Sequence, residues 1–467
     1  MHNYTEKADN AKKPRNMFVT IIILVGFCGA SLLIGYTLLG FIVNNRYISM
    51  INDIKGKGEV LYFSDIPIAS VPEDENAAEY IKQANKIFIS LQESVEAYAD
   101  ENYWILADDV YENFSLKAMR QNPERIQIVR DYLKQNEQCL DLLHKGLQCE
   151  KSNFNIDYEN EQPEFISDII EVDEMLKYSL DIAILDKNAD DAVMILTDYI
   201  RRSIIAENEH MWISRLYIDA LIQFALNDMA YARKHFVFAD TQIETLMREL
   251  KKTEELRSLT DVLYSERCVA IKSFNDESSY RGAFFNWPEY IYHDTAKYLP
   301  ISVFKIDALH YLEKINEIIE LSKKPLHEID SDLIELVEFI KNKNTFFYKY
   351  TKEMTRSLVE SIYIEGFFRT LISIVRATLA VDLYKQRFGK LPEKLPQLVE
   401  TGILDQIPRN RFTNKPLKYE IFGTDFRIYA DDVQVVNDLL SSVDEKMIDD
   451  RIYWILPYEN LQTQGNK

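Results

Sequence analysis

The chain has 467 residues, 47% of them apolar, with only 13 Gly and 13 Pro. That composition excludes a disordered or fibrous chain and favours long helices, at a length suited to two or three domains. Net charge is −21. An acidic surface repels phosphate backbones and keeps a protein soluble, so no nucleic-acid partner is expected.

Residues 1–16 form a short tail. Lys7, Lys12, Lys13 and Arg15 stand against Glu6 and Asp9. Met17 to Val43 then runs 27 residues without a charge, which exceeds the roughly 20 that a helix needs to cross a bilayer. A helix also satisfies its own backbone hydrogen bonds in hydrocarbon. A cleaved signal peptide has an apolar region of only about 7–15 residues and a small-residue site after it. A lipoprotein-type cleavage would want a small residue before Cys28, where Phe27 stands. The segment therefore reads as an uncleaved signal anchor, with the lipid bilayer as its partner over residues 17–43. Four basic residues precede it, and Arg46, Lys55 and Lys57 follow. This bias predicts a cytoplasmic N-terminus and a large domain outside the cytoplasm. Gly29 falls three residues after Gly26, so there is no GxxxG dimer signal.

Residues 44–75 read as a linker that leads into a helix start at Glu73–Asn76. A helical domain is expected over 76–350. Tyr80, Ile81, Ala84, Ile87 and Leu91 make one apolar stripe, and Ile166, Ile169, Ile170, Met175 and Leu180 another. The runs at 190–205 and 211–232, split by "AENEH", predict a helical hairpin. Further helices are expected near 238–257, 260–274, 300–323 and 329–349. No fixed 30–50-residue period appears, so the array is irregular rather than a regular solenoid.

The four cysteines have no zinc-ligand spacing. Cys139 and Cys149 are ten residues apart, roughly 15 Å on a straight helix and too far for a disulfide. A helix break at Gly146 would permit one. Two unpaired structural thiols are the favoured alternative.

Tyr280–Pro300 interrupts the helices with Phe284, Phe285, Trp287, Tyr290 and Tyr292. These aromatics either form a ligand platform or cover the helical core, and the second is the commoner use. Residues 351–388 predict the longest helix, with Leu371, Val375, Leu379 and Leu383 recurring every four. Glu365, Arg369, Arg376 and Asp382 argue against a second membrane span there, and Glu365 and Arg369 are placed to pair at i, i+4.

No phosphate loop, dinucleotide fingerprint, nucleophile elbow or HExxH motif occurs, and no two of the seven histidines are at i, i+3 or i+4. Carboxylate doublets such as Asp108–Asp109 and Asp190–Asp191 read as turns and caps. Catalytic residues are therefore unassigned, and no cofactor is expected.

The C-terminal pattern is a small unit spanning 351–440 with the long helix, followed by a tail at 441–467. Gly389 suits a left-handed cap, and Pro392 the first turn of a short helix carrying Leu395, Leu398 and Val399. Gly402 suits the cap of that helix, and Asn414 a left-handed turn. Strands are expected around Leu417–Ile421 and Phe426–Tyr429, joined at Gly423–Asp425. The fold class expected is mainly α: one transmembrane helix, an irregular multi-helix domain, and a C-terminal helix-plus-hairpin α/β unit.

Over about residues 370–432 this order resembles a planctomycete- and lentisphaera-type group of membrane-anchored bacterial envelope proteins. It also resembles the globular end of type II secretion pseudopilins. The matching positions include Tyr384, Phe388, Gly389, Pro392, Pro408, Phe412, Pro416, Tyr419 and Tyr429. The resemblance implies a place in the bacterial inner membrane, envelope protein partners, and an interaction or scaffolding role linked to secretion or envelope organisation. After Tyr429 the pseudopilin pattern has a Gly/Asp-rich calcium loop. Here Asp431, Asp432 and Asp438 stand without a glycine as weak calcium candidates, and the leader peptide junction is also lacking. The alternative function is a membrane-tethered hydrolase of envelope polymers, using a carboxylate pair assembled by the tertiary fold.

Overall fold

Apolar side chains at helical spacing build nearly every element. The computed structural model describes residues 15–66, 70–90, 116–156, 173–205, 209–254, 259–275, 301–341 and 348–430. Helix α1 covers Arg15–Gly56. It is followed by α2 (Ala77–Asn85), α3 (Leu116–Gln121), α4 (Pro123–Gln135), α5 (Glu137–Gln148), α6 (Asp173–Leu185) and α7 (Ala189–Ile205). Next come α8 (Trp212–Arg233), α9 (Asp240–Glu254), α10 (Leu259–Asn275), α11 (Ile301–Ser322), α12 (Asp330–Lys341) and α13 (Lys349–Phe388). The short α14 (Pro396–Glu400) precedes β1 (Lys418–Phe422) and β2 (Asp425–Tyr429). The chain is mainly α, with one long apolar N-terminal helix and a C-terminal antiparallel hairpin, as its sequence predicts.

The apolar run ends at Val43, but α1 does not. At 42 residues it is about 63 Å long. Residues 20–39 are exposed, whereas Val43 and Ile54 are buried in the domain with Tyr47, Met50 and Ile51 packed beside them. Much of the expected linker is thus helix. Its signal was present in the sequence: Val43, Tyr47, Met50 and Ile54 follow at spacings of four, three and four, an amphipathic stripe beyond the apolar run. Tyr47 stacks on Phe274 with ring centroids 3.9 Å apart and accepts a 2.8 Å hydrogen bond from Asn275. Past the helix, Arg267 donates to Glu59 (2.7 Å), Asn316 (3.1 Å) and the Val60 carbonyl (2.5 Å), and Lys323 donates to Glu59 at 2.8 Å.

Asn76 caps α2 by accepting from the Ala78 N–H, and it exchanges hydrogen bonds with Asn153, pinning that helix start to the segment after α5. Gly146 does not break α5. It lies inside the helix, where an added Cβ would stand 2.9 Å from Tyr80 Cβ and 3.2 Å from the Ala77 carbonyl, so it lets α2 approach closely. All four cysteines are free, and burial pushes the Cys139 thiol up to about 12.

Two apolar clusters share α13. Leu358, Val359, Ile362 and Tyr363 pack with α10, α11, α12 and the end of α1. Ile372, Leu379, Ala380 and Leu383 pack with α2 to α9 and the C-terminal unit. A helix that packs in two places along its length buries polar as well as apolar side chains, among them Thr351, Thr355, Ser361 and Thr370. Its charges are matched within the helix, Arg369 to Glu365 at 2.6 Å, and across helices, Asp382 to Arg233 at 2.5 Å and Arg376 to Glu254.

Gly389, at φ +70°, ends α13 in the left-handed conformation. Pro392 does not begin the short helix. Pro396 does, at a position where a missing N–H costs nothing. Asn414 is left-handed at φ +53°. Phe422 pairs with Asp425, so Gly423 and Thr424 alone form the hairpin loop.

Candidate functional site

Glu365, Arg369, Ser373 and Arg376 follow one another on α13 at spacings of four, four and three, which puts them on one face. That face floors a cleft of about 390 Å³, large enough for a small molecule. Its walls are Glu254 at the end of α9, Leu259 at the start of α10, the α11–α12 connection and the 404–414 loop.

Each carboxylate in the lining is engaged. Glu365 pairs with Arg369 and, at 3.4 Å, with Arg215. Glu254 accepts from Arg376 and, at 2.7 Å, from the Ser373 hydroxyl. Asp405 accepts from Lys251 at 2.8 Å, which holds its carboxyl below the ordinary range against the opposing effect of burial. Arg376 also reaches Asp405 at 3.5 Å.

Lys324, Arg369, Arg376, Arg409 and Arg411 line the cleft against those three carboxylates, a local positive excess in an acidic chain. Arg409 donates to the Asn414 carbonyl at 2.6 Å. The Arg411 backbone N–H donates to Thr370 at 3.1 Å, which fixes the loop to α13. Its guanidinium makes no ion pair with a described residue, and its Nε is buried without a hydrogen-bond partner. Leu259, Leu326, Ile329, Ile362 and Leu404 supply apolar wall. Phe412 stacks over Tyr363, with ring planes 13° apart, and rests on Gly366.

A second cavity of about 350 Å³ lies among α4, α5, α6 and α7. There His144 Nδ1 is 3.0 Å from Asp198 Oδ2. That contact raises the His144 pKa, while burial raises that of Asp198. Sequence spacing gave no hint of this pair, because its members come from different helices.

Burial pushes two other carboxyls up to about 7: Asp219 on α8, despite Arg215 beside it, and Glu266 on α10. Neither lines the cleft. The aromatic candidates Phe284, Phe285, Trp287 and Tyr290 and the calcium candidates Asp431, Asp432 and Asp438 lie outside the described residues. Among the described residues no cluster of three or more His, Cys, Asp or Glu side chains could hold a metal. The cleft residues were missed in the sequence because their partners, Glu254, Asp405 and Arg411, come from distant segments. The polar stripe on α13 was the one local signal.

No protein-family model matches the chain, and neither a curated protein nor a solved structure matches it.

Proposed function

We propose that the chain is a single-pass membrane-anchored envelope protein whose helical domain serves an interaction or scaffolding role, linked to secretion or envelope organisation. The observation that carries this reading is α1. Its exposed half is long and apolar enough to cross a membrane, and one face of its second half packs into the domain core through Val43 and Ile54. An anchor built this way holds the domain at a set position against the bilayer instead of on a slack tether, which suits a protein that presents a surface to partners. The order of long helix, left-handed glycine, short helix and hairpin supports reading the C-terminal unit as pseudopilin-like.

The hydrolase alternative needs a cleft with converging carboxylates, one of them with a raised pKa. The cleft carboxylates are all bridged to Arg or Lys, and the two carboxyls pushed up to about 7 stand elsewhere. Binding is the better-supported role.

Protease treatment of spheroplasts tests the topology. Removal of the domain is expected, and full protection would reverse the orientation. Alkaline extraction tests the anchor: the chain should stay with the membrane pellet.

A further inference from the structure

We propose that the cleft on α13 is a binding site for a small organic anion, a carboxylate or phosphate joined to an apolar group. This goes beyond the anchoring role and does not rest on it. Three observations converge. First, the lining is cationic in a chain whose net charge is −21, and its carboxylates are already consumed by Arg369, Arg376 and Lys251. An added anion therefore meets surplus guanidinium rather than competing carboxylate.

Second, Arg411 is held in place by its own backbone bond to Thr370, yet its guanidinium has no carboxylate among the described residues and its Nε is buried without a partner. A half-buried guanidinium whose Nε is buried without a partner carries a desolvation cost that a bound anion offsets, and its planar fork matches carboxylate and phosphate. Lys324, about half exposed at the rim, adds long-range attraction. Third, Leu259, Leu326, Ile329 and Leu404 give the cleft an apolar stretch of wall beside the polar Ser322, His327 and Gln406. A bare inorganic ion would leave that wall wet, whereas an aromatic or branched apolar group of a few carbons would cover it within about 390 Å³.

The test is calorimetric titration of the full chain in phosphatidylcholine nanodiscs with phenyl phosphate, benzoate, inorganic phosphate and benzyl alcohol. Phenyl phosphate or benzoate should bind, inorganic phosphate more weakly, and benzyl alcohol not at all. Added salt should weaken the binding. Arg411→Gln should cost ~10-fold or more in affinity, with the far-UV circular dichroism unchanged. Lys324→Gln, at an exposed position, should cost less and steepen nothing in the melting curve. It carries the test if Arg411→Gln fails to fold. Failure of both aromatic anions to bind, equal binding of benzyl alcohol, or an affinity untouched by the substitutions would each overturn the proposal. Repeating the titration in nanodiscs containing phosphatidic acid separates two sources of the anion. Lost phenyl phosphate binding assigns the site to a lipid phosphate, and unchanged binding to a soluble anion.

Discussion

Two acidic residues show how a carboxyl group is pushed in opposite directions by its surroundings. Asp219 is buried, and although Arg215 lowers its pKa, desolvation wins and carries it up to about 7. The folded chain therefore holds this proton where the unfolded chain has released it. Stability should fall as pH rises from about 4 to about 7 and level off above. Asp219→Asn is expected to flatten that fall, measured by urea denaturation at several pH values. Glu59 is the reverse case. Burial alone would raise its pKa, but Lys323 and Arg267 together hold it below the ordinary value. Its contribution is present above the unfolded carboxylate range and is lost as pH falls through the depressed folded value. Glu59→Gln should therefore destabilise the chain at neutral pH, with the difference from wild type shrinking in acid.

At the scale of elements, two glycines inside helices look like errors of propensity. Replacing a mid-helix Gly with Ala normally gains up to about 1 kcal/mol. At Gly146 the new Cβ would meet Tyr80 Cβ at 2.9 Å and the Ala77 carbonyl at 3.2 Å, positions tied to the α2 backbone that cannot rotate away. Gly146→Ala is expected to lower stability by about 1–3 kcal/mol, since overpacking wins. A gain in melting temperature would refute the close-approach role. Gly366 meets the ends of Leu326 and Phe412 instead, which can rotate, so Gly366→Ala should cost less. Asn76→Ala removes a helix cap and both bonds to Asn153. A loss of about 1–3 kcal/mol is expected in thermal or urea melts. The existence of these helices was legible from apolar spacing, and the ends of α9, α10 and α11 fall within a few residues of expectation. Where Gly146 and Pro392 were read locally, as a breaker and a helix start, tertiary contact and the alternative Pro396 decided otherwise.

The whole molecule is organised by two long helices, α1 and α13. Arg267, almost fully buried, ties the segment just after α1 to the domain: it donates to Glu59, to the Val60 carbonyl and to Asn316. Removing Arg267 leaves the Val60 carbonyl and Asn316 without its hydrogen bonds while Glu59 keeps Lys323, at a cost of about 1–3 kcal/mol. Arg267→Ala is expected to expose residues 57–66 to limited proteolysis before the rest of the domain opens. Cleavage no faster than in wild type would show that the connection is held elsewhere.

A long apolar N-terminal helix, a helical body and a C-terminal hairpin are legible in the sequence itself. Length without charge, periodicity of 3.6 and turn residues act over a few positions, and the backbone answers to them locally. The packed junction of α1 was half legible, since its stripe is written in Val43, Tyr47, Met50 and Ile54, but what the stripe packs against is not. Beyond the polar stripe on α13, the cleft was decided by the tertiary structure. Glu254, Glu365, Asp405 and Arg411 lie up to 157 positions apart in the chain, and only the packing of α9, α13 and the 404–414 loop brings their charges within reach of one another. Electrostatic pairing depends on distance through space, which a linear order of residues does not contain.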